Sequence, residues 1–124
     1  MSGVFVAVKG CTISALPPIS GGVFTIQTPE SKKVKAGGNG IYSGVMTVLV
    51  SGTTFGSYAQ SAPVTINIQP SMIKKLKVDG NIALGLGDEG TTIDPAKYVQ
   101  GTTATTSPIT IKITDAGQQK VMGA

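Results

Sequence analysis

The chain has 124 residues and a mass of 12.5 kDa, a size that suits one domain. Apolar residues make up 40% of it, charged residues only 13%, and 17 residues are glycine, which is too apolar for a disordered tail and too rich in glycine for a helical bundle. The net charge is +4, and every basic residue is lysine. Because histidine is absent and cysteine occurs once, the composition excludes His-based catalysis and zinc sites built on His or on paired Cys.

The first residues do not match a secretory signal peptide. The apolar run 4–8 is shorter than the hydrophobic region of such a peptide, and no basic residue precedes it. No run approaches the roughly 20 apolar residues that a membrane-spanning helix needs. We therefore expect synthesis in the cytoplasm without a signal peptide, and we expect Cys11 to be a small core residue.

Alternation of apolar and polar residues predicts an all-β fold, a small single domain of repeated β-hairpins over residues 1–124. The strand pattern is clearest at 23–27, 45–50, 64–68 and 109–113. In the third of these stretches, Val64, Ile66 and Ile68 should face inward while Thr65 and Asn67 face outward. We expect at least six short strands and no helix longer than about two turns.

Two stretches near the C-terminal end are predicted not to be strands. Asp94 and Pro95 are typical of the N-cap and of the first helical position, so residues 94–98 are predicted to form one helical turn. The polar segment 102–107, which leads to Pro108, is predicted to be a loop.

An internal duplication relates residues of about 23–44 to residues of about 64–88. The sequence KKVKAGGN at 32–39 returns at 74–81 as KKLKVDGN, with five of eight positions identical. Each copy contains a strand, a Pro break, a second strand and a turn, and stacking two copies would bury an apolar face on each. The turns carry residues that tight hairpins require: Gly38, Asn39, Gly80 and Asn81.

The second strand of each copy separates lysines from apolar residues with a period of two. We expect Val34 and Leu76 to be buried. The lysines on the opposite face should be exposed: Lys33, Lys35, Lys75 and Lys77.

Two motifs that resemble functional sites are better explained as turns. GLGDEG at 85–90 matches a dinucleotide-binding fingerprint by letter, but Thr91 and Thr92 follow where a helix must begin, so no cofactor is expected. Asp88, Glu89 and Asp94 could supply oxygen ligands to calcium, but their spacing is not that of an EF-hand, and a solvated acidic loop without metal is the expectation. No spacing pairs a nucleophile with a base, so we expect no catalytic residue and no enzyme.

The basic charge does not by itself indicate a nucleic-acid partner. Base readout and bidentate phosphate binding rely on arginine, which is absent. The three Phe and three Tyr residues are not interleaved with the lysines as a base-stacking surface would require. We expect a protein partner, with no nucleic acid and no membrane.

From Lys75 the second copy continues as KLKVDGNIALGLGD and resembles the motif of PAAR and PAAR-like spike-tip proteins of type VI secretion and related contractile injection systems. In that motif a short apolar strand leads through an Asn/Asp-Gly turn to a Pro-Ala-Ala-Arg element and a closing Gly-Asp. Ile82 and Gly85 stand where the proline and the arginine would be. The residues that fit are Val78, Asp79, Gly80, Ala83, Gly87 and Asp88.

The resemblance implies a compact β domain that caps the blunt end of a trimeric β-helical spike. The chain would then be a structural, non-enzymatic component of a contractile injection system or phage-tail-like particle, made in the cytoplasm and carried in an exported or virion-like particle. Many PAAR proteins hold a metal near the apex with His and Cys, and without histidine no such metal is expected here. We expect docking through sheet edges and apolar strand faces.

Two alternatives remain open. One is a phage capsid decoration or tail structural protein, which would share the same glycine-rich β composition. The other is a small inhibitory binding domain that uses its lysine face on an acidic partner.

Overall fold

A computed structural model describes residues 3–119 and 121–123. Within them every regular element is a β-strand, which confirms the predicted all-β fold. None of these residues belongs to a helix that could cross a membrane. The strands in chain order are β1 (Val4–Phe5), β2 (Thr12–Ala15), β3 (Ile19–Ile26), β4 (Lys35–Ala36), β5 (Asn39–Gly40), β6 (Met46–Phe55), β7 (Tyr58–Gln60), β8 (Val64–Ile68), β9 (Lys77–Val78), β10 (Asn81–Ile82), β11 (Glu89–Thr91), β12 (Ala96–Gln100), β13 (Thr103–Ser107), β14 (Thr110–Asp115) and β15 (Met122–Gly123).

Two antiparallel sheets form what we call the sheet unit. The larger sheet has the order β13-β12-β7-β6-β3, and β8 also pairs with β6; the smaller has the order β11-β14-β2. The four predicted strands correspond to β3, β6, β8 and β14. In β8, Ile66 and Ile68 are buried, Val64 is half-buried, and Thr65 and Asn67 are exposed, so the predicted alternation is confirmed.

The predicted helical turn at 94–98 and the predicted loop at 102–107 are both wrong. Residues 96–100 and 103–107 form the antiparallel pair of β12 and β13, joined by a turn at Gly101, which has a φ of 59°. Strand β12 also pairs with β7, where Tyr98 lies opposite Gln60. Backbone hydrogen bonds to the strands on both sides of β12 outweigh the weak helix-start signal of Asp94 and Pro95. The threonines of β13 are β-branched residues that favour strands.

Three short antiparallel pairs form a second part of the molecule, which we call the hairpin cap: β4 with β5, β9 with β10, and β1 with β15. In the first two pairs the turn residues have positive φ, 61° and 88° at Gly37 and Gly38, and 52° and 86° at Asp79 and Gly80. Two consecutive positive φ angles are what the favoured two-residue hairpin turns need. Asn39 and Asn81, the other two predicted turn residues, are exposed and begin the return strands.

The burial expected for Val34 is wrong, and that expected for Leu76 is only partly met. Val34 is 39% exposed, and Leu76 is only half-buried. The Ser31 hydroxyl accepts hydrogen bonds from the Lys33 and Val34 amides at 3.2 and 3.0 Å, so the chain turns here and β4 begins only at residue 35. The inward residues of the two strands are Ala36 and Val78. The lysines predicted to be exposed are exposed: Lys33, Lys35, Lys75 and Lys77.

Candidate interaction site: a threefold ring under the hairpin cap

Three segments that follow the return strands of the hairpin cap meet in a closed ring, comprising residues 6–8, 41–43 and 83–85. Each segment pairs with both of the others through an isolated antiparallel bridge. The bridges are Val6 with Gly85, Val8 with Ile41, and Ser43 with Ala83.

Backbone hydrogen bonds between the middle residues of the segments close on themselves. The Ala7 amide donates to the Leu84 carbonyl at 2.9 Å, the Leu84 amide to the Tyr42 carbonyl at 3.0 Å, and the Tyr42 amide to the Ala7 carbonyl at 3.0 Å. Each segment therefore donates to one neighbour and accepts from the other, so the ring has a pseudo-threefold axis. A second cyclic set of amide-to-carbonyl bonds surrounds it: Lys9 to Gly40, Gly44 to Ile82, and Leu86 to Phe5.

The chain ends supply the third copy of the repeated unit. Met122 lies opposite Phe5 in the same way that Lys35 lies opposite Gly40 and Lys77 opposite Ile82. The bond that connects each pair to the ring is also repeated three times, from Ile41 to Val34, from Ala83 to Leu76, and from Val6 to Val121. The sequence duplication is thus part of a threefold arrangement whose last member is split between the two ends of the chain.

The ring separates two apolar cores. Side chains that alternate along the segments pack on opposite sides, as the period of an extended chain requires. The core of the hairpin cap contains Val6, Val8, Ile41 and Ala83. The core of the sheet unit contains Ala7, Tyr42 and Leu84. One side of the threefold ring is therefore covered by the protein's own sheets.

Asp88 connects the loop at residues 71–72 to the ring through hydrogen bonds. Its side chain is fully buried, and Oδ1 accepts hydrogen bonds from the Ser71 amide, the Ser71 hydroxyl and the Met72 amide at 2.9, 3.0 and 2.8 Å. Oδ2 accepts the Gly85 amide at 2.8 Å. Both carboxylate oxygens are thus used inside the protein, and this closing residue of the motif is a structural anchor.

Two glycines before Asp88 meet different constraints. Gly87 has a φ of 97°, which L side chains rarely adopt. Gly85 is limited by space instead, because a Cβ there would lie 2.8 Å from Val4 Cγ1 and 2.9 Å from Ile73 Cδ1. The position where the resemblance would place an arginine is therefore too crowded for any side chain without rearrangement.

Gln118 holds the third strand pair in place. Its Nε2 donates to the carbonyls of Val6 and Val121 at 2.9 and 2.8 Å, and its Oε1 accepts the Val121 amide at 2.8 Å. Ser31 accepts the amide of Val34 at the equivalent place in the first copy. The bond from Gln118 to the Val6 carbonyl thus joins the two chain ends that form the split copy.

The acidic residues that could have gathered around calcium are not brought together. Asp88 is buried, whereas Glu89 and Asp94 are exposed. Across the described residues, no group of three His, Cys, Asp or Glu side chains is placed to hold a metal ion. The segment 85–90 leads into strand β11 rather than into a helix.

Cys11 is half-buried and packs against the core of the sheet unit. Burial raises the pKa of its thiol to about 11. A thiol with this pKa stays protonated near neutral pH and is a poor nucleophile. The predicted role as a small core residue fits this position in part, since the side chain is not fully enclosed.

No protein-family model matches the chain, and comparisons with curated proteins and with solved structures also give no match.

Sequence reasoning identified two copies of the repeated unit and missed the third. A signal for it exists, because Lys120-Val121 aligns with Lys33-Val34 and Lys75-Leu76. Residue 120 lies outside the described residues.

Proposed function

We propose that the chain is a structural, non-enzymatic cap for a trimeric spike of a contractile injection system or phage-tail-like particle. The observation that carries the proposal is the pseudo-threefold ring with its three strand pairs. A homotrimer presents three identical surfaces around one axis. A single chain with three near-equivalent surfaces can contact all three subunits alike, which an asymmetric chain cannot do.

The PAAR-like motif supports the same proposal by its position. Val78 and Ala83 are buried in the core of the hairpin cap, and Asp88 anchors the segment that leaves the ring. The residues that carry the resemblance therefore build the threefold part of the molecule rather than the sheet unit. By this proposal the protein is made in the cytoplasm and leaves as part of the particle.

The first prediction is that the chain forms a stable complex with a trimeric β-helical spike protein of a contractile injection system. Purified chain and purified spike should co-migrate in sedimentation velocity, with the slow peak of the free chain depleted. A matched control is a variant spike that lacks its terminal β-helical turn, which should leave the chain unbound.

Binding to capsid shells with no binding to the spike would contradict the proposal and favour a decoration protein. Binding to a monomeric acidic protein alone would favour the inhibitory domain.

A further inference from the structure

Positive charge is concentrated on the hairpin cap and its ring. The seven lysines of this part that the structure describes are all exposed, and they form what we call the lysine collar: Lys9, Lys32, Lys33, Lys35, Lys74, Lys75 and Lys77. Three acids accompany them, Glu30, Asp79 and the buried Asp88. The sheet unit instead has two lysines against three acids, Lys97 and Lys112 against Glu89, Asp94 and Asp115.

Most of the lysine collar is not neutralised by the protein itself. Lys9 and Lys32 lie 3.7 and 3.6 Å from the Glu30 carboxylate. For the other five lysines, the described residues provide no carboxylate within ion-pair distance. Such uncompensated charge destabilises the isolated protein slightly and favours association with an acidic surface.

The lysine collar repeats in two of the three copies of the hairpin unit. Lys33 and Lys75 occupy equivalent places, as do Lys35 and Lys77. Val34 and Leu76 lie between these lysines, and Val121 is the equivalent apolar residue of the third copy; all three side chains are partly exposed. In the first two copies the exposed side of the threefold element is therefore an apolar residue flanked by lysines, and in the third copy Met122 takes the place of the second lysine.

The opposite side of the ring is not accessible. Ala7, Tyr42 and Leu84 pack into the core of the sheet unit. A partner that uses the threefold arrangement must consequently meet the hairpin cap. This differs from docking through apolar strand faces, because most of those faces are enclosed in the two cores.

We propose that the lysine collar docks on acidic residues arranged around the threefold axis of a trimeric protein. The inference rests on the proposed function, and it adds the face that docks and the charge of the partner surface. A nucleic acid is the less favoured ligand. The collar has no arginine to form bidentate hydrogen bonds with bases or phosphates, and Tyr42 is buried, so its ring cannot stack on a base.

Three charge reversals test this second prediction against the spike trimer. Lys33→Glu and Lys75→Glu should each weaken binding roughly tenfold at about 50 mM NaCl and by similar factors, because the two sites are equivalent. Lys97→Glu is the matched control, an exposed lysine of the sheet unit whose reversal should change binding less than about twofold. Native binding should also weaken as NaCl rises to about 500 mM.

Each outcome separates this inference from the proposed function. If the native chain binds the spike and the collar variants behave like Lys97→Glu, the docking face is wrong while the function stands. If the native chain does not bind the spike, the function fails and the docking inference fails with it. If a DNA duplex binds more tightly than the spike and loses binding on collar reversal, the collar is a nucleic-acid surface and the inference is overturned.

Discussion

Asp88→Ala is expected to lower the free energy of unfolding by about 3 to 5 kcal/mol, because the change leaves a buried donor and three nearby donors without their acceptor. The Gly85 amide lies within the buried ring segment, so water cannot easily replace the lost oxygen. Ser71 and Met72 are exposed, and their amides would recover part of the loss in water. The measurement is urea denaturation followed by circular dichroism.

Glu89→Ala is the matched control for Asp88, because it removes a carboxylate from the next residue, where the side chain is exposed. It should change the free energy of unfolding by less than about 0.5 kcal/mol. Asp88→Asn should fall between the two, since one amide oxygen still accepts hydrogen bonds. A loss below about 1 kcal/mol for Asp88→Ala would show that the carboxylate does not anchor the loop.

Tyr98→Ala is expected to cost about 3 to 5 kcal/mol, the range for truncating a large buried aromatic side chain. Tyr98 is fully buried in β12, and its ring centroid lies 5.8 Å from that of Phe55. Its hydroxyl is hydrogen-bonded to Thr53 Oγ1 at 2.7 Å. Thermal and urea denaturation of the variant measure the loss.

Tyr98→Phe separates the contribution of the packed ring to stability from that of the hydroxyl group. It should cost only about 1 to 2 kcal/mol, because Thr53 keeps its 2.6 Å bond to Gln60 Oε1. Equal losses for the two variants would mean that the hydroxyl, not the packed ring, accounts for the contribution of Tyr98.

Local patterns were sufficient for much of the fold. Strict alternation in 64–68 identified β8 and the faces of its residues, because period two directly reflects a half-buried strand. The Gly-Gly turn at 37–38 and the Asp-Gly turn at 79–80 were recognisable from residues that accept positive φ. Alternation failed at Val34, because its amide donates a hydrogen bond to the Ser31 hydroxyl and the strand begins only at Lys35.

Contacts between distant residues could not be predicted in this way. Tyr98 lies in a strand because β7 and β13 pair with its backbone, which outweighs the helix-start signal of Asp94 and Pro95. The sequence identified Asp88 as the last residue of the PAAR-like motif. Its hydrogen-bond donors at 71 and 72 lie in a different part of the chain, so the motif alone could not predict them. The third strand pair joins residues from opposite ends of the chain, so no contiguous stretch contains it.

The stoichiometry of the proposed spike complex tests the central claim most directly, because the proposal requires one chain to contact all three subunits of the trimer. Native mass spectrometry of the purified complex should give a mass of one chain per spike trimer, with the free chain a monomer of 12.5 kDa. A mass corresponding to three chains per trimer would contradict the account, because each chain would then contact one subunit and its internal symmetry would play no part in binding.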